Sequence, residues 1–156
     1  MIQQIATTRE QSNKLLELGI SSNTADMSWH FTNMKSEPLQ WELKTSRLVT
    51  KENFFGKIEK LASPLYKRSN GSPMTGEEVF DRIWGKDLPA WSLGALIKLL
   101  PEYIDTYELF RIAIRHNDII YLNDNRLLHV EEGDDMFDNC INMIVWFVRN
   151  NTLKVE

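Results

Sequence analysis

Leu109-Phe110-Arg111-Ile112-Ala113-Ile114-Arg115-His116-Asn117-Asp118-Ile119-Ile120-Tyr121-Leu122-Asn123-Asp124-Asn125-Arg126-Leu127-Leu128-His129-Val130 passes twice from an apolar run through a short polar turn into another apolar run. Phe110, Ile112 and Ile114 alternate with Arg111, Ala113 and Arg115, the two-residue period of a half-buried strand. His116-Asn117-Asp118 and Asn123-Asp124-Asn125 are turn-formers, so Ile119 to Leu122 and Leu127 to Val130 read as the second and third strands. Strands this close in sequence pair antiparallel, because a parallel pair needs a long crossover. The segment therefore predicts a β-meander.

On either side the period changes to that of a helix. Downstream, Gly133-Asp134-Asp135 places acidic side chains at the positive end of a helix. Phe137, Cys140, Ile141, Ile144, Val145 and Val148 line one face of it, and Met136, Met143, Trp146 and Phe147 widen that face until it must be covered on more than one side. Upstream, Ser92 can cap a helix carrying Leu93, Leu96, Ile97 and Leu100, which Pro101 stops. Thr75 and Glu78 have capping-box spacing before Val79, Phe80, Ile83 and Trp84, and Gly85 closes that helix.

The N-terminal half gives mixed signals. Thr8 with Gln11 is another capping box, opening a helix to Leu18 that Gly19 terminates in a left-handed cap. Met27, Trp29 and Phe31, then Leu39, Trp41 and Leu43, alternate as two further strands, with Pro38 at the start of the second. Phe54, Phe55, Ile58 and Leu61 recur at helical spacing with Thr50 as a possible cap, against the cost of Gly56. Asp87 to Pro89 reads as a turn, and Ser69-Asn70-Gly71-Ser72-Pro73 as a loop. The expected fold is α+β: one domain over residues 1–156, with an antiparallel sheet of three to five strands and helices packed mainly on one face.

Composition narrows the function classes. A net charge of -4 argues against direct nucleic-acid binding. The lone cysteine, Cys140, excludes an internal disulfide framework and reads as a buried, inert thiol. No apolar run approaches a membrane span and no signal-peptide pattern opens the chain, so a cytoplasmic protein is expected. The charge is uneven. Residues 35–76 hold eight basic against four acidic side chains, whereas residues 102–138 hold three basic against ten acidic.

Catalytic motifs are scarce. Trp91-Ser92-Leu93-Gly94 lacks the first glycine of a nucleophile elbow, and helix capping accounts for Ser92. His30, His116 and His129 are far apart, and no pair has the helical spacing of metal ligands. His116, Asp118, His129 and Glu131 can meet only if the meander folds them together, as a metal or acid-base site. Lys67 and Arg68 precede the loop at 69–73 and can contact an anion, though a solvated loop is the simpler reading. No cofactor fingerprint is present, and no cofactor or metal is implied.

Four segments carry a resemblance: Glu10 to Gly19, Thr24-Ala25-Asp26-Met27, Pro89 to Leu96, and Met143-Ile144-Val145-Trp146-Phe147. Together they resemble a group of small proteins of gut Bacteroidetes, their phages and integrated mobile elements. That group has no established activity, so the resemblance implies a bacterial cytoplasmic or mobile-element setting and no site residues.

The resulting expectation is a non-enzymatic protein-interaction module with a regulatory or inhibitory role. Its partner surface is the acidic section, with Glu131, Glu132, Asp134 and Asp135, and with Trp91 as the candidate aromatic anchor, although core packing is the slightly favoured reading of that side chain. The partner is a protein with a basic surface. The alternative is a small ligand-binding domain or enzyme built on His116, Asp118, His129 and Glu131. Self-association through a meander edge is a third possibility.

Overall fold

The computed structural model describes residues 3–33, 36, 39–106, 108–124 and 126–150. The fold is α+β. In chain order the elements are α1 (Arg9–Glu17), β1 (Met27–Phe31), β2 (Trp41–Lys44), α2 (Gly76–Trp84), β3 (Leu88–Ala90), α3 (Leu93–Leu99), β4 (Tyr103–Asp105), β5 (Leu109–Ile114), β6 (Asp118–Asn123), β7 (Arg126–Glu132) and α4 (Met136–Arg149).

The strands form two antiparallel sheets rather than one. The larger runs β4-β5-β6-β7, and the smaller β2-β1-β3. The meander continues one strand further back than its alternation suggested, because Ile104 pairs with Phe110 and buries beside it. β3 occupies residues read as a turn. Pro89 sits there without penalty because β3 is an edge strand, where a missing N–H costs no ladder bond.

Helix caps follow the sequence closely. Thr8 accepts from the Gln11 N–H at 3.1 Å while Gln11 Oε1 accepts from the Thr8 N–H at 2.9 Å. Thr75 and Glu78 repeat the arrangement on α2, and Ser92 caps α3. Gly19 takes φ 86°, which ends the chain after α1 in the left-handed region and returns Ile20 to the core.

The helix expected over residues 50–61 is absent; only a 3-10 turn at Ile58–Leu61 forms. Thr50 and Asn53 do exchange capping bonds, but Gly56 adopts φ 116°, which no helix accommodates, and Phe55 stays fully exposed. Leu39 lies in a turn before β2, and Pro38 lies outside the described residues.

α4 is the organising element. Phe137, Cys140, Ile141, Met143, Ile144 and Phe147 are all buried against Ile119 and Tyr121 of β6, Phe110 of β5, and α1 and α3. Tyr121 meets Phe147 edge-on at 5.1 Å and donates its hydroxyl to the Pro101 carbonyl at 2.6 Å. A smaller core of Ala6, Met27 and Ala90 holds the three-stranded sheet, with Trp29 and Leu43 packed on it. Among the described residues no helix is long and apolar enough to cross a membrane.

Candidate functional site

The register of the four-stranded sheet sorts its side chains between two faces. Cross-strand partners share a face, and successive residues alternate. Ile119 and Tyr121 are fully buried under α4, so Ile112, opposite Tyr121, and Glu131 and His129, opposite Ile119 and Tyr121, stand on that side. The other face carries Ala113 opposite Ile120, Ile120 opposite Val130, Arg111 opposite Leu122, and Leu122 opposite Leu127. Tyr103 opposite Arg111 and Leu109 opposite Asp105 extend it. None of these apolar side chains belongs to the main core, and Tyr103 and Leu127 are both 55% exposed. A two-residue period should put polar residues here. Instead the outward face has an apolar centre.

Its margins are charged. Asp118 stands directly opposite Glu132, a like-charge pair that is unfavourable on its own. Arg115 answers it with a two-pronged contact, Nε to Oδ1 at 2.7 Å and Nη2 to Oδ2 at 2.6 Å. The Arg115 bonds hold the Asp118 carboxyl below the usual carboxylate range despite an opposing desolvation. Arg126 pairs with Glu108 at 2.6 Å near the other end of the strands. Glu132 and Asp134 are exposed where β7 turns into α4.

The other expected partner residues have structural work. Asp135 caps α4, accepting from the N–H groups of Phe137 at 2.9 Å and Asp138 at 3.3 Å. Glu131 accepts from His129 Nε2 at 2.8 Å. Trp91 is not an exposed anchor: it is 0% exposed, and its indole Nε1 donates to Thr24 Oγ1 at 2.9 Å. Of five tryptophans it is the one most completely enclosed, because β3 and α3 turn about it and Thr7 bonds its backbone from both sides.

His116, Asp118, His129 and Glu131 do not converge. His116 is exposed in its turn, and Asp118 faces outward against Arg115. His129 and Glu131 lie on the α4 side, with the imidazole stacked on Trp146 at 4.4 Å. The strand pleat that made the four look close in sequence places them on opposite faces. Among the described residues no group of three or more His, Cys, Asp or Glu side chains is placed to hold a metal ion. Arg68 is also engaged, its guanidinium bound to Glu78 at the start of α2, with Nε to Oε2 at 2.8 Å.

One titratable pair was not foreseen. His30 Nδ1 lies 2.8 and 3.0 Å from the two oxygens of Asp87, whose side chain is 4% exposed. The residues are 57 apart in sequence, and only the pairing of β1 with β3 joins them. No local pattern signals that contact.

No family model matches the chain, no curated protein matches it, and no solved structure matches it.

Proposed function

We propose that the protein works by binding another protein through the outward face of the four-stranded sheet. The observation that carries this reading is the apolar centre of that face: Ala113, Ile120, Leu122 and Val130 stand where a solvated sheet would hold polar side chains. Glu132 and Asp134 rim it on one side, where Asp118 is paired with Arg115, within a section of ten acidic and three basic residues. An apolar centre with a charged rim is the anatomy of a protein interface, and the sign of the rim fits a basic partner.

The role that follows is regulatory. A basic partner surface is often a nucleic-acid site, and an acidic face can occupy it in place of phosphate. Such an inhibitor suits the cytoplasmic, phage or mobile-element setting that the four resemblance segments imply. Affinity capture from lysate at physiological salt tests it. The wild-type chain retains a partner, and the double variant Glu132→Lys with Asp134→Lys releases it. Retention of the same proteins by both, or of none, removes the proposal. Light scattering distinguishes a second copy of this chain as the occupant.

A further inference from the structure

The three-stranded sheet turns an unusual face toward α2. Ser28 and His30 alternate onto one side of β1, opposite Lys44 and Glu42 of β2, so four polar side chains confront a helix. Between them and α2 lies a cleft of about 420 Å³, with Ser28, His30, Lys44, Ser46 and Asp87 on its polar side and Val49, Ile83 and Trp84 on its apolar side. A sheet–helix interface is ordinarily filled by apolar side chains. A gap of this size with one polar and one apolar wall has the character of a small-molecule site.

His30 is the reactive group of that cleft. Asp87 accepts from its Nδ1–H and also from the Phe31 backbone N–H at 3.0 Å, so the carboxylate is fixed from two directions. A carboxylate only accepts, which places a proton on Nδ1, and in the neutral ring the lone pair is then on Nε2. Nε2 has no hydrogen-bond partner among the described residues, and the His30 side chain is 24% exposed. Ser28 is not a nucleophile in this arrangement, since its hydroxyl donates to the Ser46 carbonyl at 2.8 Å. Lys44 contacts Glu42 at 3.2 Å in an exposed pair, a weak contact that leaves its ammonium able to turn toward a ligand.

We propose that this cleft is a proton-accepting site for a small aromatic ligand with an acidic hydroxyl, a phenol or its enol equivalent. The ring lies against Ile83 and Trp84. The hydroxyl proton passes to His30 Nε2, the O–H electron pair stays on oxygen, and the resulting anion faces the Lys44 ammonium. Asp87 is the positioning residue that holds the imidazolium formed. The charged and titratable groups around the imidazole are Asp87 before β3, Glu42 and Lys44 on β2, and Arg82 of α2 with Tyr66 in the cleft on the ring's other side.

The test uses p-nitrophenol, whose phenolate is coloured and whose own pKa lies near neutrality. Bound to the wild-type chain, its apparent pKa falls by about one unit, a roughly tenfold gain in phenolate. His30→Gln and Lys44→Gln each abolish the fall, and Asp87→Asn reduces it. Nitrogen NMR of the wild-type ring reports the Nδ1–H tautomer at neutral pH, a readout that survives if a variant folds poorly. Unsaturable binding, a bound probe that stays neutral, a phenolate signal retained in His30→Gln, or an Nε2–H tautomer overturns the proposal.

Discussion

Ile120 and Val130 stand directly opposite each other on β6 and β7, on the face of the sheet turned away from α4. Ile119, one residue earlier, is 0% exposed beneath that helix. Neighbours of the same residue type thus face opposite sides of the sheet, Ile119 fully buried and Ile120 partly exposed, and the difference is measurable. Ile119→Ala removes core contacts and leaves a cavity, costing about 2–5 kcal/mol. Ile120→Ala costs under about 1 kcal/mol in the isolated chain. Urea unfolding midpoints check this, and equal losses would show that the outward face is covered.

Trp91 is where two of the resemblance segments meet. Its indole reaches Thr24, its neighbour Ser92 donates to Asp26 Oδ2 at 2.5 Å, and Ala90 pairs with Met27. Trp91→Ala is expected to destabilise by about 3–5 kcal/mol. Trp91→Phe, which loses mainly the bond to Thr24, is expected to cost about 1–3 kcal/mol. Thermal unfolding of the two variants decides between this reading and that of a surface anchor, for which neither substitution would matter to stability.

Cys140 is fully buried in α4, and burial, with a contribution from Asp135, pushes its thiol up to about 12. The thiolate is the reactive form, so the folded chain should be inert to thiol reagents at pH 8. Labelling kinetics should follow the opening of the core as denaturant is added. Rapid labelling of the native chain would contradict the packing of α4.

Acid should loosen two local structures. Burial raises the Asp26 carboxyl, but the Ser92 side-chain and backbone donors outweigh it and hold it below its ordinary 3.8. Glu78, bonded chiefly by Arg68 and also by Thr75, is lowered from 4.5 to about 2. Both carboxylates are depressed in the folded chain, so their contribution is complete above the unfolded values and is lost as pH falls through the folded ones. Amide protection at the start of α2, taken relative to the intrinsic exchange rate at each pH, should therefore fall between about pH 4.5 and 2, and Glu78→Gln should remove that dependence.

Much of the fold was legible because its signals are local. Capping boxes at Thr8 and Thr75, the Gly19 terminator and the alternation through Phe110 to Ile114 each lie within a few residues. The division into two sheets was not legible, since strand adjacency is set by long-range packing. Residues 50–61 misled because apolar spacing competes with backbone geometry, and Gly56 settled it by its positive φ. The His/Asp/Glu set needed the meander to bring it together, and the pleat instead turns Asp118 away from His129 and Glu131. The His30–Asp87 pair needs β1 and β3 to meet before it exists.

Photo-crosslinking in cells tests the central claim most directly. A photoreactive side chain replacing Leu122, at the centre of the outward face, should yield a discrete covalent adduct with a basic protein. The same group replacing Leu65, which is 90% exposed elsewhere on the chain, should yield none. An adduct from position 122 alone is the predicted result; no adduct from position 122, or equal adducts from both positions, would contradict the assignment of the outward sheet face as the binding surface.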